Sequence, residues 1–321
     1  MSDLFEQISV IAVYSAMGVY TFAFIAFTLD LARRAAPAPV AVAAASTLVE
    51  ESAVGRTGLL TRLVTDETAD GRPKASRSLR IAMALTVLGF VLHVGAVVLR
   101  GLAAGYVPWS NMYGFALTAT AIAVGVFLGV QFWQDLRFLG AYILGFAIVF
   151  MGLAAVNFYV PIVPQPPALQ SFWLVIHVFV ATLGTAFFAI GAGLSIAQLL
   201  QARREATGAG PRFLQTLPTA DQLENLAYRV VLVGFVMWTF TLIAGAIWAK
   251  FAWSRYWGWD TKEVWTFIIW VIFAGYIHAR ATRGWRGSRS AWLAMIGFAA
   301  VLFNFTIVNL FFKGLHVYSG L

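Results

Sequence analysis

The 321-residue chain contains no cysteine, which excludes disulfides, thiolate metal sites and thiol redox chemistry carried by the protein itself. Any sulfur chemistry in which it takes part must draw its thiols from a partner. Charge is scarce too, at 11% of residues against 60% hydrophobic. No soluble domain of ordinary size fits that balance. The longest polar stretch, Arg33 to Arg80, is rich in Ala, Pro, Ser and Arg and lacks aromatics, a composition that predicts a flexible loop. The amino terminus lacks both a basic start and a small-residue cleavage site, so its first apolar run is expected to be a retained helix and not a signal peptide.

What the chain has in quantity is apolar runs long enough to cross a bilayer at about 20 residues each. They fall at 8–32, 80–99, 111–132, 138–159, 172–200, 226–249, 264–280 and 290–313. The expected fold is all-α, a polytopic membrane helix bundle of about eight transmembrane helices. With the amino terminus placed outside, the inner segments 33–80, 132–137, 201–229 and 280–289 hold seventeen of the 22 Lys and Arg. Positive charge gathers on the cytoplasmic side of membrane proteins, which predicts both termini outside. Topology thus accounts for the net charge of +8, and nothing calls for a nucleic-acid partner.

Two connections have readable chemistry. Thr219 is placed to cap a helix and Gln222 to return the bond, which predicts a short cytoplasmic helix leading into span six. Pro161 to Pro167 is too rich in proline for a helix and is expected to be rigid and extended. There is no internal repeat of the inverted-transporter kind.

Between spans six and seven lies the densest chemistry, residues 248–265, WAKFAWSRYWGWDTKEVW. Trp248, Trp253, Trp257, Trp259 and Trp265 with Phe251 and Tyr256 make seven rings, interleaved with Lys250, Arg255, Asp260, Lys262 and Glu263. An interfacial aromatic belt uses one or two rings per helix end, so seven point to a large flat ligand that stacks on them.

The four histidines sit at different depths. His177, near the start of span five, and His316, just after span eight, share a side with the tryptophans. One interfacial histidine means little, but two flanking an aromatic platform match the two axial positions of haem iron. His278 lies sixteen residues past Lys262, about 24 Å along a helix, at the inner end of span seven. It reads either as an interfacial polar residue beside a basic loop or as an inner ligand. His93 lies about 10 Å beneath the outer surface, with a hydrogen-bonded role and ligation both open.

The run Trp257-Gly258-Trp259-Asp260-Thr261-Lys262-Glu263-Val264-Trp265 resembles the WWD domain of haem-handling proteins. Val107-Pro108-Trp109-Ser110-Asn111-Met112-Tyr113, Tyr276-Ile277-His278-Ala279-Arg280 and Gly314-Leu315-His316-Val317-Tyr318 are similar to segments of the CcsA/ResC branch, the membrane subunit of System II cytochrome c synthase. Family members usually carry proline where this chain has Thr261 and commonly glutamate where it has Gly114. The resemblance covers most of residues 80–321. It divides the chain into 1–79, a first transmembrane helix and cytoplasmic loop, and 80–321, a haem-handling transmembrane domain with the outer segment 248–265.

The resemblance implies covalent attachment of haem b, bound as substrate, to the CxxCH segment of an apocytochrome c outside the cytoplasmic membrane, the chain serving as membrane subunit of a haem lyase. It places axial ligation on His177 and His316 and an inner haem site on His278; His93 remains a candidate metal ligand by its depth alone. Haem contacts fall on Trp253, Trp257, Trp259, Asp260 and Trp265, with Arg255 or Lys262 offered to the propionates. This chain supplies positioning and no catalytic group of its own. A CcsB/ResB-type membrane protein and a thiol-reducing protein are the implied partners, with membrane lipid as surroundings. Because the related CcmC and CcmF proteins share a WWD run, haem binding or export without ligation is the alternative.

Overall fold

The computed structural model describes residues 1–35, 76–282 and 284–316. Eight long apolar helices cross the bundle: α1 Ser2–Ala35, α2 Arg77–Ala104, α3 Met112–Val130, α4 Gly140–Asn157, α5 Phe172–Thr207, α6 Ala220–Trp253, α7 Thr261–Ala281 and α8 Ser288–Phe305. A short α9, Ile307–Phe311, continues α8 beyond a break at Thr306, where φ is −93° and ψ −73°. Among the described residues all regular structure is helical, as expected of a chain that must satisfy its backbone polar groups within lipid. The protein is a multi-pass membrane helix bundle. The loop anticipated between Arg33 and Arg80 falls almost wholly outside the described residues.

Two packing units share α5. In the first, α1 pairs along its length with α2 and is closed by α3 and α4 around Tyr20, Phe27, Phe127 and Leu144. In the second, α5 and α6 form a hairpin, covered by α7 and α8 around Phe188, Trp238, Phe273 and Phe298. Phe188 and Phe273 stack with centroids 3.6 Å apart and planes 5° apart. Small residues make the close approaches possible: a Cβ on Gly234 would come within 2.8 Å of the Phe188 ring. Large apolar side chains such as Ile11, Phe22, Val91, Val156, Ile243 and Trp292 stay exposed around the perimeter, on the surface that lipid covers.

Buried polar groups act as internal staples. At the arginine-rich end, Arg280 Nε lies 2.9 Å from Glu224 Oε1 and its Nη2 donates to Asn225, while Gly287 N–H donates to Glu224 Oε2. At the tryptophan-bearing end, Arg100 donates to the Val160 carbonyl at 2.7 Å and lies 4.6 Å from the Tyr113 ring centroid, with Glu6 beside it. His93 is fully buried between two partners, Tyr20 Oη at 3.3 Å from Nδ1 and the Leu117 carbonyl at 2.9 Å from Nε2.

Three local expectations change. Thr219 and Gln222 form a reciprocal capping box, but the helix they open is span six itself, continuous from Ala220, preceded only by a 3₁₀ turn at Arg212–Thr216. No helix boundary is needed at Gln222 because the apolar face continues without a breaker. The proline-rich connection is extended through Gln165 and then closes into a 3₁₀ turn, Pro167–Leu169, which proline at its first position favours. The eighth span is broken at Thr306 where one continuous run was expected.

Candidate functional site

α6 ends at Trp253, with Ser254 as its left-handed cap at φ 59°, and Trp259 adopts φ 59° as well, so the chain turns sharply at each end of the loop before α7. Asp260 starts α7. Its side chain accepts from Lys262 N–H, and Glu263 Oε2 accepts from the N–H groups of Asp260 at 3.0 Å and Gly258 at 2.8 Å. This capping box holds the turn at Thr261, a position where proline would otherwise stiffen the first helical turn. Arg255 curls over Gly258, with its guanidinium 3.9 Å from Glu263 Oε2.

Asp260 also reaches across to the segment after α9. Its Oδ1 accepts Leu315 N–H at 2.9 Å, and its Oδ2 lies 2.7 Å from His316 Nδ1. Gly314 is what permits the approach, because a Cβ there would collide with the Asp260 carboxylate. Burial alone would raise the Asp260 carboxyl, but the bonds from His316 and Leu315 outweigh it and hold the group down to about 2. Asp260 is therefore an anion that only accepts. His316 Nδ1 must then donate, and in the neutral ring the lone pair lies on Nε2, which has no hydrogen-bond partner among the described residues.

His177, on the second turn of α5, reaches the same state by another route. Its Nδ1 is 3.0 Å from the Thr241 carbonyl of α6, an acceptor only, so Nδ1–H donates and Nε2 has no hydrogen-bond partner among the described residues. Gly245 makes room, since a Cβ there would come within 2.7 Å of the imidazole. Trp248 is in contact with both histidines, parallel to His177 with centroids 5.9 Å and planes 13° apart, and edge-on to His316 at 5.4 Å and 64°. Its own Nε1–H is tied to the Ala168 carbonyl at 3.0 Å. Trp253 packs edge-on against His316 from another side, centroids 4.7 Å apart.

His177, His316, Trp248, Tyr256, Trp257 and Lys262 line one cavity of about 270 Å³. It extends into the bundle between α3, α4, α5, α6 and α8, where Tyr142, Phe146, Phe150 and Phe298 form an aromatic inner wall. Three buried polar oxygens on this lining have no hydrogen-bond partner among the described residues: Glu263 Oε1, Asn304 Oδ1 and Asn309 Oδ1. Asn309 Nδ2 points at Met112 Sδ, 2.6 Å away. Two imidazoles with free Nε2 atoms, indole and phenyl walls and one lysine form a donor set and surface suited to an iron porphyrin with anionic side chains.

The sequence-level candidates thus divide. The structure brings His177, His316, Lys262 and Trp257 onto the cavity, with Trp253 and Asp260 directly behind His316. Arg255 lies against Glu263 and Trp253 instead of on the cavity lining. Trp259 is 75% exposed against Trp257, and Trp265 packs on Phe303 with centroids 4.4 Å apart. His93 has both ring nitrogens engaged within the protein, which leaves neither open to iron. His278 is exposed near the arginine-rich end of α7, away from the cavity. Tyr256, one of the seven rings, also lines the cavity, while sequence reasoning missed Asn304 and Asn309. Two asparagines five apart in a largely apolar last span were the available signal for that pair.

The arrangement can be set beside known proteins. The family model of the cytochrome C assembly protein matches residues 109–316, from the cavity-lining Trp109 to His316. The cytochrome c biogenesis protein CcsA of Parasynechococcus marenigrum (strain WH8102) is 35% identical over 270 residues, covering 74% of this chain and 86% of its own. That of Porphyra purpurea is 30% identical over 302 residues, covering 82% and 95%. Among solved structures, the cytochrome c heme lyase CcmF aligns with a TM-score of 0.63 at 16% identity, over 94% of this chain and 46% of that one, so this chain spans less than half the lyase's length. At that identity the likeness is one of fold. The chain belongs to the cytochrome c assembly protein family.

Proposed function

We propose that this protein holds haem b, as a substrate, in the cavity beneath the tryptophan loop, with His177 and His316 as its axial ligands, and presents it to an apocytochrome c for covalent attachment. The observation that carries the reading is the matched state of the two imidazoles. Each has Nδ1 anchored inside the protein and Nε2 without a partner among the described residues, and both lie on one aromatic-walled cavity. Family membership supplies the process, and the cavity supplies the ligand class.

Attachment adds each client thiol across a haem vinyl double bond, sulfur to one carbon and the thiol hydrogen to the other, with no net electron transfer. This chain has no cysteine to compete for the vinyl groups. Its contribution is placement. Trp248 and Trp257 flank the porphyrin, and Lys262 is the cation on the lining that meets a propionate. The indole-lined walls keep water from the iron while the client docks. Arg255 holds Glu263 and the loop in shape.

On this reading the cavity opens on the outer face of the cytoplasmic membrane, with both termini outside, which the division of seventeen against five basic residues supports. A CcsB/ResB-type membrane partner completes the synthase, and a thiol-reducing protein keeps the client cysteines reduced. His278, exposed on α7, would take haem in transit only with a ligand from that partner facing it.

The test is co-expression of the chain, its membrane partner and a client cytochrome, with covalent haem on the client read by haem stain after denaturing electrophoresis. Covalent haem that depends on the cavity histidines supports the reading. Haem bound by the chain with none transferred to a competent client would instead make this a haem-binding or export protein.

A further inference from the structure

We propose that Asp260 makes the two imidazoles unequal, so that His316 is the ligand haem iron keeps and His177 the ligand it exchanges for the histidine of the incoming CxxCH segment. The inference rests on the two-histidine reading above and assigns different tasks to the two ligands.

The difference lies one atom behind each ring. His316 Nδ1–H is held by a carboxylate at 2.7 Å, and His177 Nδ1–H by a neutral helix carbonyl at 3.0 Å. A carboxylate behind a ligating imidazole draws its proton away, gives the ring partial imidazolate character and raises the basicity of Nε2. A carbonyl does the same far more weakly, because it carries no charge to oppose the proton.

Rigidity points the same way. His177 stands on a long helix and His316 on the segment after α9, which alone would make His316 the looser ligand. Asp260 reverses that order. It grips this segment twice, at Leu315 N–H and at His316, and is itself fixed as the first residue of the α7 cap. The His316 ring is further wedged between the edges of Trp253 and Trp248, with planes inclined at 74° and 64°. His177 has one hydrogen bond, to an uncharged carbonyl, and one parallel indole 5.9 Å away, with no second grip of the kind Asp260 gives His316. When the client arrives, the iron–Nε2 bond to His177 breaks and an iron–Nε2 bond to the client imidazole forms. Both donors are neutral, so no electron or proton changes hands.

The experiment uses the full-length chain purified with its membrane partner and loaded with haem b. Asp260→Asn is introduced into His177→Ala and His316→Ala backgrounds. Asparagine keeps one oxygen, which can accept from Leu315 N–H or from Lys262 N–H but not from both, so the charge behind His316 is lost together with one backbone bond, a loss common to both backgrounds. With His316 the sole remaining ligand, Asp260→Asn is expected to weaken haem retention roughly tenfold to a hundredfold and to raise the midpoint potential. With His177 the sole ligand, it is expected to change neither. A synthetic CxxCH peptide with serine in place of its cysteines is expected to complete six-coordination in the His177→Ala protein and not in the His316→Ala protein. Equal effects of Asp260→Asn in both backgrounds, no effect in His177→Ala, or peptide ligation confined to His316→Ala would each overturn the proposal. Should neither histidine variant alter the spectrum of bound haem, the two-histidine reading itself fails, a result separable from loss of the asymmetry alone.

Discussion

Trp248 lies parallel to His177 with ring centroids 5.9 Å apart, on the helix whose Thr241 carbonyl accepts a hydrogen bond from the same imidazole. Thr241, Gly245 and Trp248 thus form one stripe of α6, spaced at three to four residues, that seats the histidine. Gly245→Ala should displace the ring, because the added Cβ would stand 2.7 Å from it. The expected phenotype is that of His177→Ala, a loss of cytochrome c maturation partly restored by added imidazole, with the variant still assembled in the membrane. Normal maturation and unchanged haem content in Gly245→Ala would mean that the ring position does not matter.

The staple at the arginine-rich end makes a prediction about stability alone. Glu224 and Arg280 are both buried, and Glu224 also accepts from Gly287 N–H. Glu224→Gln leaves a buried guanidinium without its countercharge, a change that costs about 3 to 5 kcal/mol when one partner of such a pair is removed. The thermal midpoint of the purified protein should fall, while haem bound at the distant cavity keeps its spectrum. Replacing Arg280 by Met in the same chain should recover part of the loss. An unchanged midpoint in the single variant would show that the pair is not coupled to folding.

Sidedness is directly measurable because the native chain has no cysteine. Cysteine introduced at Ser254, in the tryptophan loop, should react with a membrane-impermeant maleimide from outside. One introduced at Ser76, ahead of α2, should react only after permeabilisation. Labelling of both from the same side would contradict the charge-based topology.

His278 is exposed near the arginine-rich end of α7, about 24 Å along the helix from Lys262. If it takes haem before the cavity does, His278→Ala should lower haem per protein in the assembled complex although His177 and His316 are intact. If it is only an interfacial polar residue, haem content and maturation stay as in wild type.

All eight spans were legible as apolar runs, and several helix ends lie only a few residues beyond them because polar caps such as Thr219 and Asp260 extend a helix past its apolar part. The facing of the helices was much less legible. α3 and α4 are apolar on every side, so periodicity cannot tell the cavity wall at Phe146 from the lipid face at Val149. The depth of His177 and His316 could be read, but their hydrogen-bond partners could not. Thr241 acts through a carbonyl that every residue possesses, and Asp260 meets His316 across 56 positions of chain. The seven rings of residues 248–265 read as one surface, yet the turn at Trp259 sends them to different tasks.

The central claim is that His177 and His316 together hold haem iron. It is tested most directly by the absorption spectrum and haem content of the purified complex for wild type, His177→Ala, His316→Ala and the double variant at equal expression. The account predicts a six-coordinate low-spin spectrum in wild type, an altered spectrum with less haem in each single variant that imidazole returns toward six-coordination, and no haem at the cavity in the double variant. A double variant that retains wild-type haem and spectrum would contradict it.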